Sequence, residues 1–158
     1  MLLASGNLKP SKEQLARIKG LATNDFTRIM SAEFFQPTLD MMLYGEKHTE
    51  FEANATIVKG KNISPHTDPW CGKYPEPIEH RNLFWLAHYP RNRHADFYHG
   101  KEATQLSAGD WVIFDDSIVH SLVSKYTWYG VILELRNAFM KEVDDVLTEH
   151  HYTRDHTK

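Results

Sequence analysis

The chain carries a single cysteine, Cys71, so no internal disulfide framework can hold it together. No apolar run approaches the roughly 18 residues that a membrane-spanning helix needs. Met1-Leu2-Leu3-Ala4 is too short for a secretory leader and lacks a basic start, so the cytoplasm is the expected location. Basic surplus is also missing: 18 Lys and Arg stand against 21 Asp and Glu, for a net charge of -3 with His neutral. Such a balance provides no global positive field, and nucleic acid is not a favoured partner. Internal repeats, low-complexity segments and linker-like stretches are absent as well, which predicts one domain over residues 1–158.

What is present suits a globular protein with one core. Hydrophobic residues make up 41% of the 158, and charged residues 25%. Residues 1–10 read as a loose start ending at Pro10. Ser11-Lys12-Glu13-Gln14 has the form of a capping box, and Leu15, Ile18 and Leu21 follow at helical spacing. A second helix is expected from Asn24 or Asp25, with Phe26, Ile29, Met30 and Phe34 on one face and Pro37 as its stop. Residues 1–50 are thus a helical flank.

From Phe51 the texture changes to short strands with turn signals between them. Strands are expected at Phe51 to Lys59 before Gly60, around Ile63 to Trp70, at Asn82 to Tyr89, and at Ala95 to His99. Others are expected at Ala103 to Leu106, Trp111 to Phe114, Ile118 to Val123 and Thr127 to Arg136. Residues 137–149 return to a helical pattern through Phe139, Val143 and Leu147, and 150–158 form a polar tail. About eight strands between flanking helices predict a mainly β fold, a jelly-roll-like barrel over 51–136.

Ten histidines are in the chain, and two of them stand in notable settings. His66-Thr67-Asp68 places an imidazole and a carboxylate two residues apart, a spacing that puts both on one face of a strand. About fifty residues later, Gly109-Asp110 opens an apolar strand, Asp115-Asp116-Ser117 makes a polar turn, and His120 follows. Two histidines and one carboxylate on one face of a metal leave open positions for a chelating cosubstrate and dioxygen, the arrangement of non-haem Fe(II) oxygenases. Taken alone, His66 and Asp68 read better as a turn residue and a loop cap before Pro69; the second segment is what turns them into candidate ligands. Asp115 and Asp116 are candidates to orient His120, or turn formers. Trp70, just after the first pair, is a candidate site residue, whereas Trp85, Trp111 and Trp128 read as core. His88 and His99 read as non-ligating.

The segments Ile63-Ser64-Pro65-His66-Thr67-Asp68 and Gly109 to His120 resemble those of the 2-oxoglutarate- and Fe(II)-dependent oxygenases. Phe114-Asp115-Asp116-Ser117 with His120 looks most like the aspartyl/asparaginyl β-hydroxylase branch and is similar to prolyl hydroxylases. The first of these branches often lacks the carboxylate ligand, which this chain has in Asp68. The resemblance implies a double-stranded β-helix (jelly-roll, cupin-like) barrel and His66, Asp68 and His120 as Fe(II) ligands. It further implies 2-oxoglutarate as cosubstrate, dioxygen as partner, and hydroxylation of a C–H bond on a small molecule or peptidyl side chain with release of succinate and CO2. The family commonly carries an arginine on the final strand for the distal carboxylate of 2-oxoglutarate, a bidentate role. This chain has Trp128-Tyr129-Gly130 there. Arg136 is the nearest candidate, with Arg81 and Lys125 as weaker alternatives; a solvent-facing charge at a strand end is a nearly equal reading of Arg136. Strand alternation puts Ile132, Glu134 and Arg136 on one face and Val131, Leu133 and Leu135 on the other. The competing function is a cupin-type metal-binding barrel without oxygenase activity, serving as a sensor or small-molecule module.

Overall fold

A computed structural model describes residues 2–24, 26, 30–31, 53–68 and 81–135. Among these residues, ten strands and one helix follow in chain order: β1 (Ala4–Asn7), α1 (Lys12–Leu21), β2 (Met30–Ser31), β3 (Ala53–Gly60), β4 (Ile63–His66) and β5 (Arg81–His88). Then come β6 (Ala95–His99), β7 (Glu102–Leu106), β8 (Asp110–Phe114), β9 (His120–Val123) and β10 (Trp128–Leu135). They form a six-stranded sheet in the order β1-β8-β5-β10-β3-β2 and a four-stranded sheet in the order β4-β9-β6-β7. The pairings within both sheets are antiparallel. Setting β1 and β2 aside, the chain from β3 to β10 crosses from one sheet to the other at every step except the β6–β7 hairpin, which lies within the four-stranded sheet. This strand order is that of a double-stranded β-helix.

Local chemistry accounts for most element boundaries. Ser11 caps α1 by accepting a hydrogen bond from the Gln14 backbone N–H at 3.1 Å. Gly100 and Gly109 take φ of +59° and +87° at the turns before β7 and β8, a region where a side chain is disfavoured. β5 is buried along its centre, Asn82 to Ala87, because it lies between β8 and β10. Its inward residues Phe84 and Leu86 join Phe97, Phe114, Leu122 and Trp128 in the barrel core. Rings meet there edge-on, with Phe84 and Trp128 centroids 5.3 Å apart. Gly60 and Gly130 flank the Trp128 indole so closely that a Cβ on either would lie 2.7 or 2.9 Å from ring atoms. The indole N–H donates to the Lys61 carbonyl at 2.6 Å.

Two expectations are corrected. The opening residues are not loose: Ala4 to Asn7 pair with Ile113 to Asp110 as strand β1. The free edge of β8 needs a backbone partner, and Gly6 lets the chain lie against the Trp111 ring, where a Cβ would come within 2.7 Å. No turn or alternation signal marks so short an edge strand. The expected helix beginning near Asn24 does not run through Met30 either, since Met30 and Ser31 pair with Ala55 and Asn54 on the edge of β3. There, pairing with an open sheet edge outweighs the helical spacing of apolar residues. The described elements otherwise fall close to the expected strands, except that the strand expected from Ile118 begins at His120 and the one expected from Ile63 ends at His66, before Asp68. The expected helix over 137–149, the tail, Trp70 and Arg136 lie outside the described residues. Among the described residues, no helix is long and apolar enough to cross a membrane.

Candidate metal centre

β4 and β9 are neighbours, and their register sets His66 directly opposite His120. The two ring centroids are 4.4 Å apart. Asp68 lies just past the end of β4, so strand alternation does not hold it in place. Instead its backbone N–H donates to the Asp116 carbonyl at 3.0 Å, tying the first segment to the turn before β9. Its carboxylate then reaches both rings, with Oδ1 2.9 Å from His66 Nε2 and Oδ2 3.1 Å from His120 Nε2. Potential ligand atoms of these three residues all lie within 4.8 Å of one another. The structure thus brings together His66, Asp68 and His120 from segments 52 residues apart.

The hydrogen bonds of the rings state what the cluster can hold. His66 Nδ1 lies 2.7 Å from the Ser64 carbonyl, and His120 Nδ1 lies 2.8 Å from the Ile118 carbonyl. A carbonyl only accepts, so both Nδ1 atoms carry the proton. In the neutral rings, both Nε2 lone pairs then face the Asp68 carboxylate. Lone pairs aimed at an anion are satisfied only by added protons or by a cation between them. Nδ1–H held by a carbonyl with Nε2 presented to a shared centre is also how metal-ligating histidines are oriented. The donor set, two imidazole nitrogens and one carboxylate, suits a divalent transition metal and fits Fe(II).

Electrostatics follow the same geometry. Burial opposes charge on His120, but the hydrogen bonds to Asp68 and the Ile118 carbonyl and the charges of Asp68 and Asp116 outweigh it, raising its pKa. Burial likewise opposes charge on Asp68, but the His120 hydrogen bond and charge, the His66 charge and the Asn82 bond prevail and lower its pKa. The site opens on one side: the His66 side chain is 40% exposed and that of His120 only 6%. Behind His120 stands an aromatic wall, with Phe114 and Phe97 ring centroids 4.8 and 6.5 Å away.

Asn82 was not among the expected site residues. It opens the buried centre of β5, and its Nδ2 donates to Asp68 Oδ2 at 3.0 Å. The available signal was a lone amide at the head of the apolar run Leu83 to Ala87. Of the other candidates, Asp115 builds the turn by accepting from the Ser117 N–H and hydroxyl at 2.9 and 2.6 Å. His99 is buried opposite His120 in the β6–β9 register, but its Nε2 donates to the Asp115 carbonyl at 2.9 Å and it is not one of the three residues whose ligand atoms converge. His88 lies by Tyr129, ring centroids 6.0 Å apart, away from it as well. Arg81 precedes Asn82 in β5 and so lies on the opposite face of the sheet. Lys125 is exposed past the end of β9 remote from His120. Glu134 is opposite Asn82 in register and follows the inward-packed Ile132 by two, which puts it on the interior row.

Fold and site together define a double-stranded β-helix with a candidate metal centre at its mouth. No family model matches the sequence, and no curated protein matches it. Among solved structures it is similar to a salicylate 1,2-dioxygenase from Pseudaminobacter salicylatoxidans, at 10% identity and a TM-score of 0.39 over 58% of this chain. The chain spans only 23% of that dioxygenase. It is also similar to a cupin-2 domain containing protein from Shewanella frigidimarina NCIMB 400, at 11% identity and a TM-score of 0.42, covering 77% of this chain and 92% of that one. A DMSP lyase from Ruegeria pomeroyi DSS-3 matches at 14% identity and a TM-score of 0.38, over 58% of this chain and 41% of that one. All three likenesses are distant; the fold stands on its strand order.

Proposed function

We propose that the protein is a non-haem Fe(II)- and 2-oxoglutarate-dependent dioxygenase that hydroxylates a C–H bond of an amino-acid side chain or small metabolite. The observation that carries this reading is the pair of imidazoles, each held through Nδ1 by a carbonyl, with both Nε2 atoms converging on Asp68. A ferrous ion held there would bind and activate dioxygen, the oxidant, whose electrons come from the oxidative decarboxylation of 2-oxoglutarate to succinate and CO2 and from the substrate C–H bond that is hydroxylated. The chain's own part is orientation and exclusion. His66 and His120 present Nε2, and Asp68 contributes one negative charge. Phe97 and Phe114 keep water from the inner side of His120. The open side at His66 admits substrate. Arg136 is assigned the distal carboxylate of 2-oxoglutarate on the strength of the resemblance.

A second reading keeps the metal and drops the cosubstrate: a cupin-type metal-binding barrel. It is favoured by the interior itself, where the buried polar residues among those described include no Lys or Arg and Glu134 occupies the interior row. One titration separates the two. Anaerobic addition of 2-oxoglutarate to the Fe(II)-loaded protein yields a visible charge-transfer band if the first reading holds, and none if the second does. His66→Ala and Asp68→Ala abolish iron-dependent succinate formation while the β-sheet circular dichroism persists; full turnover by either variant overturns the assignment.

A further inference from the structure

We infer that Asn82 is a positioning residue for Asp68, retained in the buried sheet for the metal centre and not for the stability of the fold. The inference rests on the reading of His66, Asp68 and His120 as metal ligands.

Asn82 is 3% exposed. Among the described residues its one side-chain hydrogen bond runs from Nδ2 to Asp68 Oδ2, and that oxygen also faces His120 Nε2. A carboxylate offers no proton, so only the NH2 end of the amide can face it; the orientation of Asn82 is therefore settled by chemistry. Oδ1 is then turned elsewhere, and among the described residues this buried oxygen has no hydrogen-bond partner. An apolar residue at this position would carry no orphaned acceptor of its own, and the Asp68 side chain, 27% exposed, can take the lost bond from water. The neighbouring inward position of β5 is Phe84 and opposite Asn82 in β8 is Phe114, while opposite it in β10 is Glu134, so apolar side chains flank Asn82 on two sides and a carboxylate residue on the third. A buried amide with half its capacity unused is poor core material but a suitable holder for a ligand. It fixes one carboxylate oxygen without bringing a charge that would compete with a cation. A lysine or arginine there would neutralise Asp68 and weaken its hold on metal.

The test is Co(II) titration, followed by visible absorption, of the wild-type protein and Asn82→Leu, with thermal unfolding of both in the metal-free state. Asn82→Leu is expected to bind Co(II) about 10–100-fold more weakly, with a metal-free midpoint equal to or above that of wild type. Equal Co(II) affinity, or a lowered metal-free midpoint with unchanged affinity, overturns the inference and leaves the metal reading standing. Failure of the wild-type protein to bind Co(II) overturns both. A measurement on the wild-type chain stands in should the variant not fold: the side-chain NH2 resonances of Asn82 in 15N-labelled protein. They are expected to exchange slowly and to shift on adding one equivalent of Zn(II); if they do not shift, the inference falls.

Discussion

The barrel has two contrasting regions along one interior. Its centre is filled by Phe84, Leu86, Phe97, Leu122 and Trp128, tightly enough that Gly60 and Gly130 are needed to admit the indole. At its mouth, Asp68, Asn82 and His120 are partly or fully buried yet polar, and two lone-pair-bearing nitrogens face one carboxylate. The centre is what hydrophobic burial makes of a jelly roll. The mouth runs against that trend: burying the Asn82 acceptor without a donor costs about 1–3 kcal/mol, and burial opposes charge on both His120 and Asp68. A region maintained against its own stability is where function is to be sought.

If the two regions have these separate roles, variants should divide between them. The largest effect is expected from His120→Ala, which removes one ring from the centre: Co(II) or Fe(II) binding is lost by titration, while the metal-free protein keeps its cooperative unfolding transition. Next comes Trp128→Ala. It empties the middle of the core and removes the bond to the Lys61 carbonyl, so denaturant unfolding should show a loss of about 3–5 kcal/mol. Protein that remains folded should still bind metal. A result in which Trp128→Ala abolished binding and His120→Ala unfolded the chain would break the comparison.

Acidity sharpens the contrast further. The raised pKa of His120 means its pairing with Asp68 stabilises the metal-free fold fully below the ordinary value of about 6.5, and this contribution is lost as pH rises through the folded value. The lowered pKa of Asp68 means its contribution is present above about 3.9 and is lost as pH falls through the folded value. Metal must displace the His120 proton, so Co(II) affinity should climb by about tenfold per pH unit until His120 is deprotonated, then level off. Unfolding midpoints of Trp128→Ala should show no added pH dependence over the same range. The smallest effect belongs to neither region: Ser11→Ala removes the cap of α1 and should cost about 0.5–2 kcal/mol, with Co(II) affinity unchanged.

Much of this division is legible in the amino-acid sequence. The strands around Phe84, Trp111 and Val131 follow from β-branched and aromatic runs bounded by turn residues, and Ser11 announced its helix. His66, Asp68 and His120 could be singled out because a turn, an apolar strand and a second turn precede His120. Asn82 was harder, since a lone amide beside Leu83 and Phe84 does not say which group it meets. β1 and β2 were harder still, because an edge strand is defined by the partner it finds and carries little pattern of its own.

The amino-acid order by itself determined the alternation of strands and turns, the aromatic supply of the core and the identity of the three candidate ligands. Those properties depend on neighbours a few residues away, through backbone propensity and side-chain period. Tertiary structure alone decided that His66 sits opposite His120, that Asp68 is tethered by the Asp116 carbonyl beyond the end of its strand, and that Asn82 holds it from a third strand. Each of those contacts joins segments remote in sequence, and sheet pairing, which sets their register, is a choice among distant edges that no local pattern encodes.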